Sequence, residues 1–189
     1  MLYQVLTFLL EVAVTLVGGA CLLRLIMRWR RMSMANPVGR LVLALSDWLV
    51  RPLQRLLPGG DRLDVGSLVA VWLLKMLQFV ALMLLLDLSR WAILPVLALL
   101  GVVKLAVSVG TALLIIAAIL SWTQNRTLIF DVIDHLCQPL LAPVRRWLPL
   151  VGGVDLSPLV VIVLLQVLGI VISSLQANVL GSGLLASLG

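Results

Sequence analysis

The sequence predicts an all-α integral membrane protein: four transmembrane helices form two parallel tandem repeats, each with a cytoplasmic interfacial amphipathic helix between its two spans. Three observations predict it. Hydrophobic residues make up 62% of the 189 residues and charged residues only 12%, where an ordinary soluble domain has roughly 25% charged. Four stretches are long and apolar enough to cross a bilayer, and a motif of Pro, Arg and Asp recurs 91 residues further along the chain. A soluble globule of this composition would leave large apolar patches exposed, and disorder needs the opposite balance of low hydrophobicity and high charge.

A helix rises ~1.5 Å per residue, so a hydrocarbon core of ~30 Å takes about 20 mainly apolar residues. The first span, 2–27, is interrupted by Gln4, Glu11 and Arg24. No Lys or Arg precedes it, so it lacks the charged leader of a secretion signal and reads as a retained span. Residues 38–57 place Arg40, Asp47, Arg51, Gln54 and Arg55 on one narrow helical face, the pattern of a helix lying in the membrane interface with its apolar side down. The second span, 65–86, carries Lys75 and Gln78. The third, about 97–121, lies within Trp91 to Trp122 and carries one charge, Lys104. Residues 91–103 read either as a separate half-helix at the outer face or as the start of that span. A second amphipathic segment, 128–148, gathers Asp131, Asp134, His135, Gln138, Arg145 and Arg146 on its polar side. Pro139 and Pro143 predict that it kinks or ends early, because proline lacks the helical donor and clashes with the preceding turn. The fourth span, 159–180, contains Gln166 and the pair Ser173-Ser174.

Ten of the 14 Lys and Arg residues lie in the connections 28–64 and 122–158, and the opposite side offers only Arg90. The positive-inside rule therefore puts both connections in the cytoplasm and both termini outside. The net charge of +6 then points to anionic headgroups at the cytoplasmic face as partner, and no nucleic acid is expected.

Pro52, Arg55, Pro58 and Asp64 recur as Pro143, Arg146, Pro149 and Asp155, each shifted by 91 residues, and Trp29 recurs as Trp122 at a shift of 93. The chain divides into a first repeat, 1–90, and a second, 91–189. Two spans per unit give both copies the same orientation, so a pseudo-twofold axis along the membrane normal is expected. Glu11 then corresponds to Lys104 near the outer boundary, and Lys75 to Gln166 near the midplane. Ionisable groups inside a membrane are costly and face protein or water; these four are the intramembrane candidates. Gly18, Gly19 and Ala20 in the first span and Gly169, Ser173 and Ser174 in the fourth are small enough for close helix approach, including in an oligomer.

The turn Asn36-Pro37 after Trp29, the segment Pro143-Val144-Arg145-Arg146-Trp147-Leu148-Pro149 and the following Gly152-Gly153-Val154-Asp155-Leu156-Ser157-Pro158 resemble the signature of the YggT family of small multi-pass bacterial inner-membrane proteins. The first copy departs from it, with Gly59-Gly60-Asp61 directly after Pro58, and Thr127-Leu128 stands where Asn36-Pro37 would map. The resemblance covers nearly the whole chain. It implies a bacterial inner-membrane location, no known enzymatic reaction, and a link to osmotic-stress tolerance, ion homeostasis and envelope organisation.

The residues themselves carry no catalytic grouping, no phosphate-binding loop and no CxxC. A single histidine, His135, excludes a bis-histidine haem or metal site within one chain, and Cys137 two residues on would point to another helix face. No catalytic residue, cofactor or metal is expected. Asp64 and Asp155, each just before a span, suit the N-terminal cap of a helix; the Pro-x-x-Arg-x-x-Pro segments turn the chain, with Arg55, Arg145 and Arg146 toward headgroups. The expected function is that of a membrane-embedded assembly or organisation factor, with a second copy of the chain or other membrane proteins as partners. The alternative is a small channel or transporter subunit with Lys75 and Gln166 along its pathway.

Overall fold

The computed structural model describes residues 2–56, 64–85, 91–122, 128–146 and 155–185, so Pro58, Pro149 and the glycine segments around them lie outside the described residues. All regular structure among the described residues is helical: α1 (Leu2–Trp29), α2 (Pro37–Leu56), α3 (Val65–Leu85), a single 3-10 turn (Trp91–Ile93), α4 (Leu94–Trp122), α5 (Leu128–Arg145) and α6 (Ser157–Leu185). Four of these are long and apolar enough to cross a membrane, over Val5–Trp29, Val65–Leu84, Trp91–Ser121 and Ser157–Leu180. Residues 91–103 form no separate half-helix. The 3-10 turn runs directly into α4, whose first turn holds Pro95, where a missing donor costs nothing.

Local chemistry sets the ends of these elements. α1 closes with the paired bonds of a Schellman motif, from Met32 N–H to the Met27 carbonyl at 2.8 Å and from Arg31 N–H to the Arg28 carbonyl at 3.0 Å. The left-handed position falls on Arg31, at φ 53°, where glycine would be unstrained. Asn36 caps α2 by accepting from Gly39 N–H at 2.6 Å, with Pro37 in the first helical position. Asp64 caps α3 by accepting from Ser67 N–H at 3.1 Å, and Asp155 accepts from Ser157 N–H at 2.9 Å at the start of α6.

α5 runs through both Pro139 and Pro143 to Arg145, and α2 runs through Pro52. Pro139 cannot donate to the carbonyl of His135, four residues back. Arg30, at the end of α1, donates to that carbonyl instead at 3.1 Å and to Gln138 Oε1 at 2.8 Å. The freed acceptor thereby becomes a tie between the two repeats.

In each repeat the two long helices pack together, α1 on α3 and α4 on α6, with α2 or α5 across one end. The copies meet through α3 and α1 against α4, but α6 has no comparable contact with α1. The expected twofold arrangement is therefore incomplete. α3 is followed by a further unit that covers it, whereas α6 leaves a broad face of Leu159, Val163, Leu164, Val167, Ile170 and Val171 exposed, a surface suited to lipid. Between helices in lipid, packing and not the hydrophobic effect holds the contact. Gly18 shows this most directly: a Cβ there would come within 2.8 Å of Leu105 Cδ2. The small residues of α1 serve α4 of the same chain.

Three apolar cores fill the bundle. Met27, Val42, Leu114, Ile133, Cys137 and Leu141 pack at the α2/α5 end. Cys21, Leu22, Val50, Ala70, Val71, Val102 and Leu105 lie further in. Met83, Leu94 and Leu97 pack toward the opposite end.

Candidate functional site

The described residues include two polar concentrations within the bundle. The first joins α1, α2 and α3. Arg24, 7% exposed, lies 2.6 Å from Asp47 Oδ1 and 3.3 Å from Asp64 Oδ2, and reaches Ser46 Oγ at 3.3 Å and Gln54 Oε1 at 3.4 Å. Its approach to Asp64 through Nε is an ion pair without hydrogen-bond direction. Asp64 also meets Arg28 at 3.2 Å and accepts from Gln54 Nε2 at 2.8 Å. Gly66 permits the last contact, because a Cβ there would lie 2.7 Å from Gln54 Cγ. Asp47 in turn holds Arg51 at 2.7 Å, one helical turn on.

Burial pushes the Asp64 carboxyl up, but hydrogen bonds from Gln54, Ser67 and Arg28 outweigh it and hold the group below its ordinary 3.8. A carboxylate depressed in the folded state contributes stability that is complete above its unfolded pKa and is lost as pH falls through the folded value. We expect the unfolding midpoint to drop below about pH 4, and Asp64→Asn to remove much of that acid limb; pH titration of unfolding in micelles reads both.

The second repeat neutralises its aspartate differently. At the repeat offsets Arg24 becomes Ala117, Asp47 becomes Gln138 and Gln54 becomes Arg145. Arg145 lies 2.8 Å from Asp155 and 3.3 Å from Asp134, at 40% side-chain exposure. The arginine has moved from the span to the amphipathic helix, and the buried ionic cluster has become a partly exposed trio of Arg145, Asp134 and Asp155. Sequence reasoning treated Arg24 as an interruption of the first span. Its signal was present: it stands one turn before Arg28, with alanine at the equivalent position.

The second concentration is a cavity of about 270 Å³ lined by Glu11 and Thr15 of α1, Lys75 and Gln78 of α3, Lys104 and Ser108 of α4, and Gln176 of α6, among others. Lys75 is 8% exposed and its Nζ donates to Gln78 Oε1 at 2.8 Å. Its stem packs on Gly101, where a Cβ would stand 3.2 Å from Lys75 Cδ. A lysine at a helix centre costs roughly 2.5–3.5 kcal/mol to insert; burial beside Gln78 and a polar cavity offsets that cost. Glu11 and Lys104 are exposed, and no ion pair within 4.0 Å joins Glu11 to either lysine among the described residues.

Gln166 is not part of this cavity. It lines a separate open groove between α4 and α6 with Thr111, Gly169, Ser173 and Ser174, and Lys104 borders both spaces. Lys75 and Gln166, which correspond in the repeat, therefore have different surroundings: α3 packs against both α1 and α4, while α6 packs on α4 and α5 and, among the described residues, has no comparable contact with α1.

The other candidates are dispersed. Trp29 ends α1 with 62% of its surface exposed; Trp122 ends α4, its side chain outside the described residues. Pro52, Arg55, Pro143 and Arg146 are exposed, as is His135, while Cys137 is buried. Burial pushes the Cys137 thiol up to about 11, which leaves it protonated and unreactive at neutral pH. No group of three His, Cys, Asp or Glu residues suited to a metal occurs among the described residues.

The CCB3/YggT family model matches the chain twice, over residues 3–85 and 96–176. The chain is similar to "Uncharacterized protein YggT" of Escherichia coli K12, 33% identical over 92% of each chain. It is also similar to "Uncharacterized protein in proC 3'region" of Vibrio alginolyticus, 32% identical over 85% of this chain and 89% of the relative. "Uncharacterized protein PA0392" of Pseudomonas aeruginosa is 30% identical over 82% of each. No solved structure matches.

Proposed function

The chain belongs to the CCB3/YggT family, and from that premise we propose that it is a non-enzymatic multi-pass protein of the bacterial inner membrane that organises or assembles other membrane components. One observation carries the reading. On the α2 side of the polar cavity lies an apolar core of Cys21, Leu22, Val50, Ala70, Val71, Val102 and Leu105, the last of which also lines the cavity. Beyond that core, ion pairs tie α2 and α5 to the ends of the spans. A transporter subunit needs a polar route from side to side, and Lys75 and Gln166 line separate spaces.

The same ties make a firm platform. Arg40, Arg51, Arg55 and Arg146 are exposed on it. With both connections in the cytoplasm, these arginines meet anionic headgroups or an acidic partner. A role in osmotic-stress tolerance and ion homeostasis then acts through the components so organised. In liposomes containing the purified chain, potassium and chloride flux should stay at the protein-free level. Flux that Lys75→Ala abolishes would support the transporter reading and overturn this one. In a strain lacking the protein, the chain with those four arginines changed to glutamine should fail to restore growth at high osmolarity where the wild-type chain restores it.

A further inference from the structure

We propose that the cavity between α1, α3 and α4 is an oxyanion-binding site, in which Lys75 and Lys104 hold one monoanionic carboxylate or phosphodiester group. The site does not depend on the organising role above, since a protein without an ion pathway can carry it.

Charge comes first. Lys75 and Lys104 face one space with a single carboxylate, Glu11, so the lining carries one surplus positive charge in a low-dielectric setting. A monoanion balances it. A cation would meet two ammonium groups for one carboxylate, and a divalent metal finds no suitable cluster of ligands among the described residues.

Geometry comes second. Were the three charges only glue between helices, Glu11 would contact a lysine, and no such ion pair forms within 4.0 Å. The groups instead surround about 270 Å³ of open space. One water needs only about 10–15 Å³, and small-molecule sites begin near 300 Å³. Lys75 is fixed from two sides, its stem against Gly101 and its ammonium on Gln78. An ammonium has three donors, so Gln78 leaves donors for a ligand. Gln176, Thr15 and Ser108 add neutral polar groups around the same space.

A carboxylate of a small solute and the phosphodiester of a lipid headgroup share this chemistry, and two probes separate them. Acetate binding is read by saturation-transfer NMR, and dihexanoyl phosphatidylglycerol binding by native mass spectrometry, both on the full chain in neutral detergent. At least one probe should saturate. Lys75→Met should weaken its Kd by about tenfold or more. Glu11→Gln, at an exposed position, should tighten it several-fold, because it removes the competing negative charge; a merely structural role for Glu11 predicts no such gain. Saturation by acetate identifies a small solute, and saturation by the lipid alone identifies a headgroup. The proposal is overturned if neither probe saturates, if Lys75→Met binds like the wild type, or if Glu11→Gln fails to tighten binding. Should Lys75→Met not fold, the Glu11→Gln result decides.

Discussion

Replacing Arg24 by methionine lowers the stability of the folded chain by about 3–5 kcal/mol, the cost of leaving buried charges without their partner. Methionine fills much of the volume, so the loss reports charge more than cavity. Among the described residues, Asp64, 1% exposed, would keep only Arg28 as an ion-pair partner, and Asp47 would keep only the exposed Arg51. The equivalent change in the second repeat is the control. Arg145→Met removes two ion pairs whose three members, Arg145, Asp134 and Asp155, are 40%, 39% and 21% exposed, and should cost about 1 kcal/mol or less. Reversible unfolding in mixed micelles measures both. Equal losses at the two positions would contradict the asymmetry between the repeats. Arg24→Met and Asp64→Asn should also be strongly non-additive, because each removes the other's partner.

The second large effect is expected at Gly39. A Cβ there would stand 2.6 Å from the carbonyl oxygen and 2.7 Å from the Cα of Met34. That obstacle is backbone and cannot turn aside. Relief requires shifting the linker between α1 and α2, which the Schellman turn at Arg31 and the Asn36 cap hold in place. Gly39→Val should therefore cost about 1–3 kcal/mol and disturb the α1–α2 angle, with the Arg24–Asp47 contact lengthened as a consequence. Gly18→Ala is the milder counterpart, since its obstacle is the end of the flexible Leu105 side chain.

The spans and the repeat were legible in the sequence because each depends on one-dimensional information. An apolar run long enough to cross a membrane is visible without knowing its neighbours, and so is a motif shifted by 91 residues. The amphipathic segments were legible in outline, with 38–57 found as Pro37–Leu56 and 128–148 as Leu128–Arg145. Helix continuity through Pro139 was not, because the acceptor that proline frees is satisfied by Arg30 from the other repeat. Arg24 was hidden for a similar reason. Its partners lie 23 and 40 positions along the chain, and only the crossing of α2 over α1 and α3 brings them together. The repeat itself misled in one respect. Equivalent positions suggested equivalent surroundings for Lys75 and Gln166, yet α3 packs against α4 of the other copy while α6 has no comparable contact with α1.

Solutes are expected to be excluded from the α2/α5 end of the bundle, where the apolar cores lie, and to reach the Lys75 cavity from the other side. Thiol accessibility tests this most directly. With Cys21 and Cys137 changed to alanine and Gln78→Cys placed beside Lys75, a membrane-impermeant thiol reagent is applied to vesicles of either orientation. The cysteine should react from the side opposite α2 and α5 and stay unlabelled from their side; labelling from the α2/α5 side, or from neither, would contradict the account.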